Sequence, residues 1–249
     1  EPGSHVAIVG PSGAGKSSLV GLLQGWHRPA TKRILIDSAP LNAASVSRVR
    51  RQIAWLDPAV HLWNRSFADN LVYGSHDSRE RLGFAIDAAD LTDILEALPD
   101  GLQTPLGEGG ALLSGGQGQR VRAGRALLRT GVRLVILDEP FRGLDREKRR
   151  ALLARARRYW SGATLLCITH DVGETRVFPR VLVMEQGRVV EDGSPVELTT
   201  RPGSRYRAML EAEESVTEGL WTDAMWRRLS LRGGVLHEEM REDAWRART

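Results

Sequence analysis

Cysteine is nearly absent. Cys167 is the one thiol among 249 residues, so no disulfide can form within the chain, and stability has to come from a packed core of the size this length allows. Cys167 stands in the apolar run ATLLCI and reads as a buried, inert thiol suited to a reducing compartment. Long apolar runs are lacking as well. The longest, such as LVIL and ATLLCI, fall far short of the ~20 residues that span a bilayer. No secretory leader is visible. The chain also begins without methionine, with Glu1 only a few residues ahead of the first motif, and is expected to be a fragment of a longer protein. An excess of one charge is missing too: 35 Lys and Arg stand against 31 Asp and Glu, a net charge of +4. The basic residues are interleaved with acids, whereas a nucleic-acid footprint needs them clustered. No nucleic-acid partner is expected. Internal repeats and low-complexity segments are absent.

What remains is ordinary globular composition, 41% hydrophobic and 27% charged, enough for one large domain or a domain with a subdomain. HVAIVG, a β-branched apolar run ending in glycine, predicts a buried strand. A helix is expected from near Lys16, then strands at RILID and IAWL. From Asn64 to Arg129 the spacing becomes helical with Pro and Gly stops, which predicts a helical insert. RLVILDEP predicts another buried strand, DREKRRALLARARRYW an amphipathic helix, and ATLLCITH a strand. RVLVMEQGRVVEDG reads as a hairpin turning at Gln186-Gly187. Strands alternating with helices predict an α/β fold with a mostly parallel sheet. Beyond Arg205 a further helix with Trp221, Met225 and Trp226 is expected, then a small hairpin at LSLRGGVLHEE. The stripe of tryptophans reads as packing or as a partner- or membrane-facing extension.

Residues 10–17 read GPSGAGKS and match the GxxxxGK[ST] phosphate loop, in the required place between a strand and a helix. The glycines let backbone N–H groups converge on phosphates. Lys16 would neutralise the β- and γ-phosphates, and the Ser17 hydroxyl would ligate Mg²⁺. LVILDEP closes a strand with two acids. Asp138 is placed to hold Mg²⁺, and Glu139 to orient or deprotonate an attacking water. A second glycine-rich turn, LSGGQGQR at residues 113–120, opens a helix and would aim its N-terminus at an anion.

The order GPSGAGKSS, LSGGQ, LVILDEP, RGLD, ITHD resembles the nucleotide-binding domain of ATP-binding cassette (ABC) proteins over roughly residues 3–210. That resemblance implies a P-loop NTPase core, residues 1–57 and 130–204, with an ABC-type helical signature subdomain at 58–129 and a C-terminal extension at 205–249. It implies ATP and Mg²⁺ as cofactors. Gly10, Pro11, Ser12, Gly13, Ala14, Gly15, Lys16, Ser17 and Ser18 would hold the nucleotide, with Lys16, Glu139 and His170 catalytic. The family's signature works across a dimer interface. Ser114, Gly115, Gly116 and Gln117 would contact a γ-phosphate held by Lys16 of the partner subunit, which accounts for two anion devices in one chain. Asp145 in RGLD resembles an aspartate of that interface and would equally cap the helix after it. His170 resembles the family's γ-phosphate histidine. TPLGEGG at 104–110 resembles a loop of ABC exporters, where Glu108 would face transmembrane coupling segments.

The sequence also departs from that pattern. The family's adenine-stacking aromatic precedes the phosphate loop by about two dozen residues; that region is missing here, and the N-terminal strands are expected to be missing with it. Lys32 replaces a glycine. THDVGET and DGSPVEL look more like importer ATPases. A glutamine that senses the γ-phosphate aligns with Pro58, which has neither a ligand atom nor a backbone donor. Either the neighbouring Asp57 takes over the metal contact, since a hard cation accepts oxygen ligands readily, or the contact is lost and hydrolysis is poorly linked to transport. The resemblance implies the ATPase of a membrane transporter, exporter-like, on the cytoplasmic side of the cell membrane through fused or associated transmembrane domains. Two alternatives stand: a soluble non-transport ABC ATPase, which would usually show a long coiled coil or tandem cassettes, and a weakly catalytic regulatory half.

Overall fold

The structure, a computed structural model, describes residues 1–31, 33–57, 59–74, 79–222, 228–232 and 235–239. Pro58 and Lys32, together with Met225 and Trp226, lie outside the described residues, and with Pro58 the question it raises.

The runs with alternating or continuous apolar residues become the strands β1 (His5–Val9), β4 (Ile53–Leu56), β5 (Leu134–Asp138), β6 (Thr164–Ile168), β7 (Arg180–Glu185) and β8 (Arg188–Gly193), after a minor pair β2 (Leu35–Ile36) and β3 (Ala39–Pro40). The six form one sheet in the order β4-β5-β6-β1-β7-β8. Every pairing from β4 through β7 is parallel. Only β8 runs antiparallel, returning from β7 through Gln186-Gly187, both at positive φ (48° and 76°), as a two-residue hairpin turn requires. The sheet is covered on both faces, as parallel sheets are. Alternate residues serve the two sides. Ala7, Val9, Val135, Leu137 and Cys167 join the larger core, and Ile8, Ile136 and Ile168 the smaller.

The smaller core receives α1 (Lys16–Leu23) through Val20 and α2 (Val46–Arg51) through Val49. The larger receives the insert: α3 (Phe67–Val72), α4 (Leu82–Ala88), α5 (Thr92–Ala97) and α6 (Gly115–Leu127), with α7 (Arg146–Tyr159) beyond it. Phe67, Leu71, Leu91 and Ile94 are fully buried there. Each such side chain contributes about 1.5–3 kcal/mol by leaving water. The expected RILID strand is the one marked shortening. Asp37 and Ser38 adopt positive φ (50° and 64°), so the chain reverses at once and β2 pairs only with β3, outside the large sheet. A short helix α8 (Pro195–Thr200) precedes α9 (Arg205–Thr222), which docks on the body through Tyr206 and Leu210. The expected terminal hairpin is present as β9 (Arg228–Arg232) and β10 (Val235–Glu239), antiparallel. Among the described residues no helix is long and apolar enough to cross a membrane.

Candidate functional site

Parallel pairing decides where the chemistry gathers. β4, β5, β6 and β1 lie side by side, and each ends at the same edge of the sheet. β4 is followed by Asp57; β5 ends on Asp138, with Glu139 next; β6 is followed by Thr169 and His170; β1 runs into Gly10. Ligands of open α/β sheets bind in the crevice outside such carboxyl ends.

The turn from β1 to α1 is shaped for close approach. Gly10, Gly13 and Gly15 have φ of 151°, 79° and 96°, values that side chains resist. A Cβ on Gly10 would stand 2.2 Å from the Met184 carbonyl oxygen. Gly15 begins α1 without a side-chain cap, so the first-turn N–H groups have no side-chain acceptor and suit an anion. Pro11, Ser12, Gly13, Ser17 and Ser18 are exposed, while Ala14 is buried. Lys16 is buried, and its Nζ donates to the carbonyls of Gly10 (2.7 Å) and Pro11 (3.0 Å). Burial lowers its pKa, and the charges of Glu139 and Asp138 oppose that. An ammonium inside a ring of open amides fits a polyphosphate.

The acid pair is under electrostatic load. Asp138 is pushed up to about 6, by burial first, then by the charges of Asp57 and Glu139, with Lys16 opposing. Glu139 takes φ of 45° and Phe141 of 62°. A side-chain-bearing residue held there costs about 1–3 kcal/mol. The Glu139 Oε1 is buried and accepts no hydrogen bond of sound geometry, although His170 Nε2 stands 3.3 Å away. Asp57 Oδ1 accepts from the Ala59 amide at 2.5 Å. Among the described residues no three His, Cys, Asp or Glu side chains are placed to hold a metal alone. Uncompensated carboxylates beside a phosphate-shaped turn nevertheless fit a hard cation that takes its other ligands from phosphate and water.

The second glycine turn forms a separate group. Ser114 Oγ accepts from the Gln117 amide (3.3 Å), and the Gln117 side chain accepts from the Ser114 amide (2.8 Å). This reciprocal box starts α6 at Gly115, within the glycine turn expected to open a helix. Gly116 is packed tightly: a Cβ there would meet Leu144 Cδ2 at 2.7 Å and the Gly143 carbonyl oxygen at 3.1 Å. Asp145 caps α7, accepting from the Lys148 amide at 2.9 Å. The exposed Glu108 carboxylate lies 3.7 Å from His61 Nε2.

Two sets of residues escape a reading of motifs. On α6, Arg122 donates to the Val60 carbonyl (2.6 Å), and Arg125 to those of Asn70 (2.7 Å) and His61 (2.9 Å). They tie the segment just after Asp57 to the helix that Ser114 begins. Burial brings Arg125 down to about 10. The arginines at 120, 122, 125 and 129 were the available signal, but nothing in their spacing says which carbonyls they seek. The other set surrounds His170. Arg149 on α7 pairs with Asp171 and Glu174, both at 2.5 Å, and Glu213 on α9 reaches the same turn.

A family model described as ABC transporter matches residues 1–142. The ATP-dependent lipid A-core flippase of Cupriavidus metallidurans is 40% identical over 206 residues, which cover 81% of this chain and 34% of that protein. The flippase of the same description from Ralstonia nicotianae is 40% identical over 205 residues, with the same coverage. Among solved structures, a bacterial Atm1-family ABC exporter with ATP bound matches with a TM-score of 0.81 at 33% identity, over 85% of this chain and 37% of that one. The chain spans about a third of the length of the curated relatives it matches.

The raised Asp138 has a consequence for stability. Between its ordinary 3.8 and about 6 the folded protein binds more protons than the unfolded chain, so stability falls as pH rises through that window. Asp138→Asn removes the penalty. In the absence of nucleotide and Mg²⁺, its thermal midpoint at pH 7.5 is expected to exceed that of the wild type, with the gap closing below pH ~4. A lower midpoint at pH 7.5 would show that Asp138 is not under electrostatic load.

Proposed function

The chain belongs to the ABC transporter family, and on that premise we propose that it binds and hydrolyses ATP, pairs head-to-tail with a second such domain, and drives an exporter from the cytoplasmic face of a membrane. The observation that carries this reading is the convergence of Lys16, Asp138, Glu139 and His170 at one sheet edge, with Glu139 Oε1 3.3 Å from His170 Nε2. In this reading the backbone amides of Gly13, Gly15, Lys16 and Ser17 and the Lys16 ammonium hold the β- and γ-phosphates. A bound Mg²⁺ would offset the charge of the phosphates. Ser17 and Asp138 would supply its protein oxygens. Asp57, close enough to load Asp138 electrostatically, adds a further one. Glu139 orients a water and takes its proton, and His170 donates to the γ-phosphate. Export is supported by the relatives, which are flippases, and by the similar solved structure, an exporter. The choice of cargo is assigned to membrane-embedded segments rather than to these residues.

The exposed N-terminus of α6 supports a role for Ser114, Gly115, Gly116 and Gln117 across a dimer interface. Ser114 Oγ accepts from the Gln117 amide and keeps its O–H to donate, and a phosphate oxygen, being an acceptor, would take that proton. Asp145, held by its cap beside the Gly143–Leu144 turn that touches Gly116, lies at that same interface in this reading.

Three experiments on the full-length protein test these roles. Glu139→Gln should keep ATP binding while turnover falls on the order of 10²-fold or more; hydrolysis at the wild-type rate removes Glu139 from the mechanism. Asp57→Ala should raise the Mg²⁺ concentration needed for half-maximal turnover, and an unchanged Mg²⁺ midpoint would strike Asp57 from the metal ligands. Mixing Lys16→Ala with Ser114→Arg chains leaves one site of the dimer with both lesions and the other with neither. Part of the ATPase activity should then return. A mixture as inactive as either parent counts against sites shared between chains.

A further inference from the structure

The turn that carries His170 does not hold itself. After β6 the chain enters a 3-10 turn over Val172–Val177, a geometry with weaker internal hydrogen bonds than an α-helix. Its first N–H groups need acceptors from outside. One comes from within the segment: Asp171 Oδ1 accepts from the Glu174 amide at 3.3 Å. The other is supplied by a distant part of the chain. Glu213 Oε2, on α9, accepts from the Gly173 amide at 3.0 Å; the Val172 amide also donates to this carboxylate, and the Asp171 carboxylate stands beside it. The fit is close, since a Cβ on Gly173 would stand 3.1 Å from Glu213 Oε1. Arg149 closes the cluster from a third element by pairing with Asp171 and Glu174.

The rest of α9 is fastened to the same segment. The Tyr206 hydroxyl, fully buried, meets Thr175 Oγ1 at 2.8 Å, and Arg176 pairs with Glu214. Leu210 reaches the main core. Apolar burial and the Tyr206 contact dock the helix. Glu213 is half-buried; burial first, then the Asp171 carboxylate, raises its pKa, and Arg149 lies near enough to feel its charge. Its contacts are with the His170 turn, not with the apolar core that docks the helix. It lines one cleft with Glu139, His170, Asp171, Arg142 and Arg149.

We infer that Glu213 is a positioning residue: delivered by α9, its carboxylate pins the backbone immediately after His170 and so fixes where the imidazole stands against Glu139. This inference rests on the ATPase reading above. It makes α9 part of the machinery through the His170 turn. A small misplacement of a reacting group is costly, up to about 10²-fold for an ångström.

The test uses the full-length protein and three variants. Glu213→Ala removes the acceptor. Glu213→Gln keeps an oxygen for the Gly173 amide. Arg176→Ala breaks the pair by which the far end of the same 3-10 segment meets Glu214 on α9, and leaves the Glu213 contact in place. Amide exchange in the nucleotide-free protein should speed up at Val172 and Gly173 in Glu213→Ala, and stay near wild type in Glu213→Gln and Arg176→Ala. For ATP hydrolysis, Glu213→Ala should lose on the order of tenfold in kcat, with KM for Mg·ATP changed less than about twofold. Glu213→Gln should recover most of that loss, and Arg176→Ala should not share it. The inference is overturned if exchange at Val172 and Gly173 is unchanged in Glu213→Ala, or if Arg176→Ala loses as much kcat as Glu213→Ala. A wild type without ATPase activity would instead overturn the functional reading, while the exchange experiment would still report on the contact.

Discussion

Strand pairing between β5, β6 and β1 is the constraint on which the site rests. Leu137 lies opposite Cys167, Asp138 opposite Ile168, and Ile8 opposite Ile168 on the other side. In that register three strand ends finish level, so the acid pair, the histidine and the phosphate loop arrive at one edge without any contact designed between them. A slip of one residue would turn the apolar faces inside out, and the buried residues on both sides of the sheet forbid it. The site is therefore held by the hydrophobic packing of Ile8, Ile136, Leu137 and Ile168, all essentially inaccessible to water. Its polar groups can stay frustrated because they are not asked to hold the fold.

That frustration is uneven. Lys16 meets two of its own carbonyls, while Asp57, Asp138 and Glu139 crowd one another. An excess of negative charge beside open amides favours a ligand that brings both an anion and a cation. The glycine turn at residues 113–117 differs: its capping box satisfies the Ser114 and Gln117 amides, and α6 is bound by arginines to the segment that follows Asp57. A displacement of that segment is thus carried to α6 by direct hydrogen bonds.

Much of this was legible in the sequence because local chemistry decided it. β-branched runs gave the strands, Gln186-Gly187 gave the hairpin, Asp145 gave the cap of α7, and the position of Cys167 in an apolar run foretold its burial, which pushes its thiol far up. The phosphate loop and acid pair could be read from spacing because both are contiguous. RILID came out shorter, since the turn chemistry of Asp37 and Ser38 overrode the β-branched pattern before it. The contacts of Glu213 with Gly173, and of Arg125 with His61, join residues 40 and 64 positions apart. No periodicity records such pairs. The left-handed backbone at Glu139 was hidden for a related reason: nothing about a glutamate predicts it, and only the surrounding packing imposes it.

That backbone has an evolutionary side. Glycine at position 139 would adopt φ of 45° without the roughly 1–2 kcal/mol that a side chain pays in the left-handed region. Random variants sorted by folding yield or heat resistance alone would accordingly drift toward glycine at that position. They would become sturdier as they lost the carboxylate. Selection for robustness and selection for turnover pull this one residue in opposite directions, and a stabilised version of the domain would have to draw its gains from elsewhere.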